Sequence, residues 1–288
     1  MTAAIDRRTA LALLAAAGAM PAAARTADDA ELARIAAATG GRMGVFALDT
    51  GSDRSIGHDA DTRYAMASTF KLPLAAAVLD RIAKGKASLD TPVPFGDADL
   101  LDYAPAVKAA GVPGTLSLER LMAAAITVSD NSAANLLLQQ VGGPPGLTRF
   151  ARALGDRVTR FDRTEPTLNT NLPGDPRDTT TPRAMVGLLR AILLGPALPL
   201  PARDRLTRWL VDCRTGLARI RSVVPPGWTA GDKTGTAARG GVNDVAILWP
   251  PGRLPILTAI FVDAADAPPG AAEEAHRAAG RRIVAAFA

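Results

Sequence analysis

The sequence predicts an α+β fold in which an antiparallel sheet, built from both chain ends and flanked by helices, carries an inserted all-helical domain. Short runs with strand character occur at 42–58 and 228–262, and Gly- and Pro-containing turns separate them. Between these regions the apolar residues recur mainly at helical spacing. Because strands and helices are segregated along the chain, the pattern indicates α+β rather than alternating α/β. We assign 25–62 together with 213–288 to the sheet domain and 63–212 to the helical domain.

The predicted strands are short and are bounded by turn residues. The first two form a hairpin, because Thr50-Gly51-Ser52-Asp53 is a turn sequence between two alternating runs. The other three lie close together near the C-terminus and complete the sheet. The predicted strands are 42–49, 54–58, 228–233, 242–250 and 255–262.

The predicted helices have apolar residues on one face and polar residues on the other. The first begins at a capping-box-like pair, Asp28 and Glu31, and the last is an amphipathic closing helix. The predicted helices are 29–38, 68–84, 118–128, 132–141, 146–154, 182–194, 202–212 and 271–287. Residues 163–181, rich in Pro, Asn, Thr and Asp, predict a long loop, and loops of this length are usually functional or disordered.

The N-terminal segment, residues 1–24, is predicted to be a signal peptide. Arg7 and Arg8 precede an apolar run that ends in an Ala-x-Ala-like cleavage site. The run is too short to span a membrane, for which about 20 residues are needed. We therefore expect a periplasmic or secreted protein without a membrane anchor; the alternative is a cytosolic Ala-rich helix. The arginine pair favours Tat export, but Asp6 and Ala10 depart from the usual pattern, so Tat and Sec both stay open.

Composition excludes several classes of function. The net charge is +5, but the basic residues are scattered among acids and aromatic residues are only 4%, which argues against a nucleic-acid partner. The two histidines, His58 and His276, and the single Cys213 provide no zinc cluster and no internal disulfide. With 288 residues and 48% hydrophobic content, the chain can bury a sizeable core. We expect a monomer without a metal or other cofactor.

The first chemical motif is Ser68-Thr69-Phe70-Lys71, which places a hydroxyl and an amine on one face of a helix. A serine at a helix start is often only an N-cap. Lys71, however, is flanked by Phe70 and Leu72, and burial in such surroundings favours the neutral amine, which can accept the proton of Ser68. The free N–H groups and the positive dipole at a helix N-terminus suit a developing oxyanion.

Two further motifs complete a set suited to an anionic substrate. Ser129-Asp130-Asn131 lies between two predicted helices and adds a hydroxyl and an amide, although its residues are also good helix caps. Lys233-Thr234-Gly235 lies on a predicted strand, where the missing side chain of glycine lets a ligand lie along the backbone. The lysine would attract a carboxylate. Together the three motifs predict a serine nucleophile, a proton-handling amine and an anion site.

In this order and spacing, the three motifs resemble the signature of class A β-lactamases and penicillin-binding proteins. The loop at 163–178 resembles the Ω-loop of class A β-lactamases, with Glu165 and Asn169 one helical turn apart. The resemblance covers about 25–288 and implies hydrolysis of small-molecule β-lactams through a serine acyl-enzyme, in a β-lactamase/D,D-peptidase-like fold. It also predicts a cis Glu165–Pro166 bond.

The resemblance assigns roles to individual residues. The implied catalytic residues are Ser68, Lys71, Ser129 and Glu165. The N–H groups of Ser68 and Thr236 form the implied oxyanion hole. Substrate contacts are implied for Asn131, Asn169, Lys233, Thr234, Gly235, Thr236, Arg219 and, as an aromatic wall at the cleft mouth, Tyr103, for which a core position is the alternative. Structural roles are implied for Asp130 and for the loop-closing pair Arg163 and Asp178.

Two questions stay open at the level of sequence. Either Lys71 or Glu165 can be the base in acylation, whereas Glu165 activates the water that hydrolyses the acyl-enzyme. The alternative functions are a penicillin-binding D,D-peptidase and a non-hydrolysing β-lactam-sensing domain. A sensing domain should lack a deacylating carboxylate, and the Glu165–Asn169 loop argues against both alternatives.

Overall fold

A computed structural model describes residues 27–288 of the chain. The predicted signal peptide therefore lies outside the described residues. Among residues 27–288, no helix combines the length and the apolar character needed to cross a membrane.

Nine strands occur in the described part of the chain. Five of them form an antiparallel sheet in the order β2-β1-β9-β8-β7, and the others form two-stranded pairs, β3 with β6 and β4 with β5. The strands are β1 (Arg42–Asp49), β2 (Ser55–His58), β3 (Tyr64–Ala65), β4 (Pro92–Phe95), β5 (Gly114–Ser117), β6 (Thr179–Thr180), β7 (Thr229–Ala237), β8 (Gly241–Trp249) and β9 (Ile256–Asp263).

Nine α-helices occur in the same residues, and most of them lie between β2 and β7 in the sequence. The helices are α1 (Ala27–Ala37), α2 (Lys71–Ala83), α3 (Pro105–Ala109), α4 (Leu118–Thr127), α5 (Asn131–Gln140), α6 (Gly143–Ala153), α7 (Pro182–Leu193), α8 (Leu200–Val211) and α9 (Ala271–Phe287). The predicted α+β class, with a sheet formed from both chain ends and flanked by helices, is confirmed.

The two chain ends meet in the middle of the sheet. Strand β1 pairs with β9 along its whole length, from Arg42 opposite Asp263 to Asp49 opposite Ile256. Both faces of β9 are covered, since Ile260 packs into the cluster beneath α1 and α9 whereas Phe261 packs into the cluster beneath the inserted helices. Alternate residues of a strand point to opposite faces, so this one strand contributes to both cores.

The strand carrying the Lys-Thr-Gly motif is longer than predicted. The predicted strand ended at residue 233, whereas β7 continues to Ala237 and pairs with β8 throughout. The polar run from Asp232 to Thr236 hides the strand pattern in the sequence, but the ladder to β8 satisfies its backbone. The whole motif therefore lies inside an edge strand, where Gly235 pairs with Asn243 of β8.

The helix of the serine motif also begins later than predicted. Residues Ala67–Phe70 form a 3₁₀ turn, and α2 begins at Lys71. Ala67 has a positive φ of 45°, a left-handed conformation that L-residues rarely adopt, so the chain enters this turn sharply just before Ser68. The short helix α3 and the small strands β3 to β6 were not predicted, because two- to five-residue segments carry little periodicity.

A buried histidine lies in α9, remote in sequence from the three motifs. His276 is fully buried, and its Nδ1 lies 2.7 Å from the carbonyl oxygen of Ala272. Burial lowers its pKa from 6.5 to about 4. Because the folded state then binds fewer protons than the unfolded state, this residue costs stability as the pH falls from about 6.5 towards 4.

We expect His276→Leu to reduce the loss of free energy of unfolding that occurs as the pH is lowered. Between pH 7 and pH 4 the wild-type free energy of unfolding should fall by up to roughly 3 kcal/mol more than that of the variant, since one pKa unit corresponds to about 1.4 kcal/mol. Urea unfolding at several pH values measures this difference. His58→Leu, on the partly exposed strand β2, is the control. Equal pH slopes for the wild type and the His276 variant would contradict the expectation.

Candidate active site

The 3₁₀ turn Ala67–Phe70, which carries Ser68 and is called the nucleophile turn below, lies directly against strand β7. A Cβ atom placed on Gly235 would stand 2.6 Å from the carbonyl oxygen of Met66 and 3.2 Å from the backbone nitrogen of Ser68. Only glycine lets β7 come this close to the backbone around Ser68. Gly235 therefore allows the strand to lie beside the N–H of Ser68. Thr236 is the next residue of the strand and borders the same cavity as Ser68.

Lys71 lies at the centre of the polar cluster and is fully buried. Its Nζ is 3.0 Å from Ser68 Oγ, 2.5 Å from Asn131 Oδ1 and 3.0 Å from Glu165 Oε1. It also donates to the carbonyl oxygen of Ser129 at 2.8 Å. Burial lowers the pKa of Lys71, and the carboxylate of Glu165 opposes this shift. The cluster thus holds an amine of reduced basicity within hydrogen-bond distance of the Ser68 hydroxyl.

The Ser-Asp-Asn turn joins the two lysines. Ser129 has a positive φ of 59°, and its Oγ lies 3.3 Å from Lys71 Nζ and 3.0 Å from Lys233 Nζ. Asp130 is fully buried, and its Oδ1 accepts from the N–H of Ala133 at 2.8 Å, which caps α5. These contacts hold the turn in place and keep the Ser129 hydroxyl between two cations.

Asp130 also holds α3 against α5. Its Oδ2 accepts from the backbone N–H groups of Ala106 and Val107, at 2.8 and 3.0 Å. The position of this side chain fits the structural role assigned to it.

Glu165 is buried and reaches the nucleophile from the Ω-loop, residues 163–178. Its Oε1 lies 3.3 Å from Ser68 Oγ, and its Oε2 accepts from Asn169 Nδ2 at 2.5 Å. The Glu165–Pro166 bond is cis, as predicted. Sequence reasoning missed Asn135, whose side chain accepts from Glu165 N at 3.0 Å and donates to Glu165 O at 2.9 Å. The available signal was its position one helical turn after Asn131.

The ends of the Ω-loop are joined by a largely buried ion pair. Arg163 Nε lies 2.6 Å from Asp178 Oδ2, and the two side chains are only 16% and 5% exposed. The other oxygen of Asp178 accepts from the backbone N–H groups of Asp162 and Arg163. An exposed ion pair would contribute about 0–1 kcal/mol to the free energy of unfolding. The carboxylate of Asp178 instead accepts from three donors in a shielded site, so this pair should contribute more.

A group of cations lies at the far end of the cleft. Lys233 Nζ is fully buried and donates to the carbonyl oxygen of Thr234 at 2.8 Å. Burial, reinforced by the charge of Lys71, lowers the pKa of Lys233 to about 8. Arg219 donates to Gly235 O at 3.1 Å and to Thr236 Oγ1 at 2.9 Å. β7 therefore carries one cation and the hydroxyls of Thr234 and Thr236, and the guanidinium of Arg219 lies against the same strand.

Asn243 was also missed by the sequence reasoning, although it is 1% exposed and connects several parts of the site. It pairs with Gly235 across the β7–β8 ladder. Its Nδ2 donates to the carbonyl oxygens of Ala65 and Met66 at 2.8 and 3.1 Å, and its own carbonyl accepts from Arg219 Nη1 at 2.6 Å. A polar residue in a predicted strand was the only signal, since the contact depends on strand register.

These residues surround one cavity of about 330 Å³. Tyr103 is 51% exposed at its mouth, so it is not a core tyrosine. Lys71, Glu165 and Lys233 are not among the cavity's lining residues, but each lies within hydrogen-bond distance of one, Ser68 or Ser129. The predicted residues that line it are Ser68, Tyr103, Ser129, Asn131, Asn169, Arg219, Thr234, Gly235 and Thr236. Within residues 27–288, no cluster of His, Cys, Asp or Glu side chains is arranged to hold a metal ion.

Comparison with known proteins gives consistent matches over most of the chain. A family model described as "Beta-lactamase enzyme family" matches residues 29–287. Beta-lactamase AST-1 of Nocardia asteroides is 46% identical over 233 residues, which cover 81% of this chain and 75% of that protein. The carbapenem-hydrolyzing beta-lactamase KPC of Klebsiella oxytoca is 45% identical, with 78% and 77% covered.

Solved structures give the same result. An ancestral class A beta-lactamase superposes with a TM-score of 0.88 at 47% identity, covering 90% of this chain and 100% of that chain. A beta lactamase from Xanthomonas campestris superposes with a TM-score of 0.87 at 44% identity, covering 90% and 96%.

Proposed function

Because the chain belongs to the class A β-lactamase family, we propose that it hydrolyses β-lactam antibiotics through an acyl-enzyme on Ser68. The observation that carries this proposal is the position of Ser68 Oγ, 3.0 Å from Lys71 Nζ and 3.3 Å from Glu165 Oε1. A hydroxyl between an amine and a carboxylate can lose its proton as it attacks. A bacterium that makes such an enzyme gains resistance to β-lactam antibiotics.

In acylation, the oxygen of Ser68 bonds to the lactam carbonyl carbon while its proton moves to Lys71 or Glu165, both within reach. The carbonyl oxygen becomes an oxyanion that the N–H groups of Ser68 and Thr236 stabilise. The C–N bond of the ring then breaks, and the ring nitrogen takes a proton from Ser129. Lys71 and Lys233 flank Ser129 Oγ, so a protonated amine is at hand to replace that proton.

In deacylation, Glu165 takes a proton from water, and the resulting hydroxide attacks the ester carbonyl. The tetrahedral intermediate collapses, the ester C–O bond breaks, and the leaving oxygen of Ser68 takes the proton that Glu165 removed from water. Asn169 and Asn135 support this step because they hold the carboxylate and the backbone of Glu165. The same carboxylate argues against a sensing domain that stays acylated and against a D,D-peptidase.

The chemistry of the far end of the cleft fits the carboxylate that β-lactams carry. Lys233 and Arg219 provide charge, and Thr234 and Thr236 provide hydroxyl donors. Thr234 Oγ1 also lies 2.5 Å from Thr215 Oγ1, which orients it. Tyr103, which lines the same cavity, would provide an aromatic wall at its mouth.

A panel of a penicillin, a cephalosporin and a carbapenem tests the proposal. Purified protein should hydrolyse at least the penicillin with sustained turnover, and Ser68→Ala should remove that turnover. Mass spectrometry of the quenched reaction should show a transient adduct on the Ser68 peptide. A single stoichiometric acylation without turnover would instead establish the sensing or peptidase alternative.

We further propose that the protein works as an exported monomer. The support is the sequence of residues 1–24, in which an arginine pair precedes an apolar run and a small-residue cleavage site. Expression of the full chain, followed by cell fractionation and N-terminal sequencing, should give a processed protein outside the cytoplasm. Size-exclusion chromatography with light scattering should give the mass of one chain. An unprocessed cytoplasmic protein or a stable dimer would contradict this.

We expect Arg219→Ala to raise KM for a penicillin more than it lowers kcat. Arg219 binds the substrate carboxylate in the ground and the transition state alike, and loss of such an interaction appears mainly in KM. Steady-state kinetics measure the split, and the exposed Arg34→Ala is the control. Unchanged penicillin kinetics in the Arg219 variant would show that the anchor lies elsewhere.

We expect kcat/KM for a penicillin to fall above about pH 8, where Lys233 loses its proton and its attraction for the carboxylate. Lys233→Arg should move this decline to higher pH, since arginine stays charged. The methyl ester of the same penicillin lacks the carboxylate and is the control. An identical alkaline decline for acid and ester would rule out Lys233 as its cause.

A further inference from the structure

A second cavity, of about 270 Å³, lies at the base of the Ω-loop. None of the residues that line it borders the active-site cavity. Its wall combines the start of the loop at Arg163, the end of the loop over residues 171–177, and the paired ends of β1 and β9 at Arg42 and Asp263. The cavity therefore touches both ends of the segment that carries Glu165.

The wall of this cavity carries more positive than negative charge. Four arginines line it, against two aspartates. Three of the arginines have a carboxylate partner, in the pairs Arg42–Asp263, Arg163–Asp178 and Arg177–Asp175, at 2.7, 2.6 and 2.8 Å. The fourth is Arg63. Arg63 has no carboxylate within 4.0 Å among residues 27–288, so its charge is not matched by any described side chain.

The described contacts of Arg63 leave part of its guanidinium available. Its Nη1 donates to Thr179 Oγ1 at 3.1 Å, and its Nη2 donates to the carbonyl oxygen of Val158 at 2.9 Å. Both acceptors are neutral. A guanidinium carries five N–H donors in a planar fork, so these two bonds fix its orientation without exhausting its donors.

The carboxylate of Asp175, which also lines this cavity, is already paired with Arg177. Both oxygens of Asp175 accept from Arg177 Nε, at 3.0 and 3.1 Å, and Oδ1 also accepts from Arg177 N at 3.0 Å. Hydrogen bonds from Arg177 lower the pKa of Asp175 to about 2. Arg163 is left with a long contact of 3.7 Å to this carboxylate.

From this arrangement we propose that the cavity at the base of the Ω-loop binds a small oxyanion, such as a phosphoryl group, through Arg63 with Arg163 beside it. Planar guanidinium forks match the oxygens of phosphate and carboxylate groups, and a shielded cavity strengthens the attraction. The bound anion would join β3 to both ends of the loop. It would therefore stabilise the folded protein and the closed loop by mass action, at a site separate from the proposed catalytic function.

Thermal unfolding in phosphate and in chloride at equal ionic strength tests the proposal. Phosphate should raise the melting temperature of the wild type by about 2–4 °C, which corresponds to the effect of a modest ligand on a domain of this size. Arg63→Gln should remove most of this shift and keep its turnover in chloride buffer. Arg34→Gln, at an exposed site on α1, is the matched control and should keep the shift.

The active site also offers cations, so the two sites must be separated. Phosphate bound there would inhibit turnover, and any such inhibition should be equal in the wild type and in Arg63→Gln. Glycerol 3-phosphate, titrated in parallel, distinguishes a free anion from a phosphoryl group carried on a larger molecule. A shift with either probe that Arg63→Gln abolishes supports the site. A shift that Arg63→Gln retains, or no shift with either probe, overturns it.

A measurement on the wild type alone keeps the test valid if Arg63→Gln does not fold. Hydrogen exchange of peptides covering 163–178 should slow in phosphate relative to chloride, whereas peptides of α1 should not change. Equal exchange of the loop peptides in the two salts would overturn the proposal.

Discussion

Glu165→Ala should convert the enzyme into one that reacts with penicillin once and then stops. Ser68, Lys71 and the oxyanion donors remain, so the serine can still attack the lactam carbonyl. The water that should cleave the ester loses its base, and general-base assistance is typically worth 10²–10⁴-fold. Rapid mixing with a chromogenic β-lactam should therefore show a burst of about one equivalent followed by a rate at least about 100-fold below the wild-type rate.

Intact-protein mass spectrometry identifies the trapped species. The Glu165 variant should carry one opened lactam on the Ser68 peptide for minutes, and Ser68→Ala should carry none. Asp266→Ala, which removes an exposed carboxylate, is the control for loss of an acidic residue and should turn over normally. Steady turnover by the Glu165 variant at the wild-type rate would refute the deacylation mechanism.

Lys71→Ala should slow the reaction by a similar factor, but in the acylation step rather than in deacylation. Loss of the amine removes one acceptor for the Ser68 proton and a donor near Ser129, so formation of the acyl-enzyme should slow by about 10²–10⁴-fold. Because deacylation then outpaces acylation, no adduct should accumulate. Stopped-flow measurement of kcat/KM, together with mass spectrometry, separates this result from that of the Glu165 variant.

The control for Lys71→Ala is Lys84→Ala, at the end of the same helix. Lys84 stands at the C-terminus of α2 with a side chain that is 60% exposed, and Lys84→Ala should leave kcat/KM unchanged. Removal of Lys71 also leaves Glu165 buried without its cation, which destabilises a protein. Thermal unfolding must therefore confirm that the variant is folded at the assay temperature. Accumulation of an acyl-enzyme in Lys71→Ala would contradict a role for Lys71 in acylation.

The sequence predicted those parts of the site whose chemistry is carried by residue type and spacing. Ser68 and Lys71 are three residues apart on the chain, so one helical turn places them on the same side. Their side-chain atoms, Ser68 Oγ and Lys71 Nζ, are 3.0 Å apart. Glu165 and Asn169 illustrate the same rule, at a spacing of four residues. In both cases local geometry alone brings the pair together.

The supporting residues could not be predicted in this way. Asn243 acts on the nucleophile turn because it is opposite Gly235 in the β7–β8 register, and register is decided by the whole sheet. Arg63 lines one cavity with the loop end, residues 171–177, and no sequence pattern places these distant segments together. The extension of β7 to Ala237 likewise depends on pairing with β8, since its own residues are too polar to show a strand pattern.

The double attachment of Asn243 has a consequence for how this enzyme can evolve. One amide holds the backbone ahead of the nucleophile, while the carbonyl of the same residue holds the guanidinium of Arg219. Substitutions on the β7–β8 side of the cleft that change substrate specificity will therefore also disturb the position of Ser68. The ring of Tyr103, half exposed at the rim, makes no such link to another residue within 27–288. We expect adaptive substitutions to accumulate first at that rim and to reach the β7–β8 pair only after stabilising changes elsewhere.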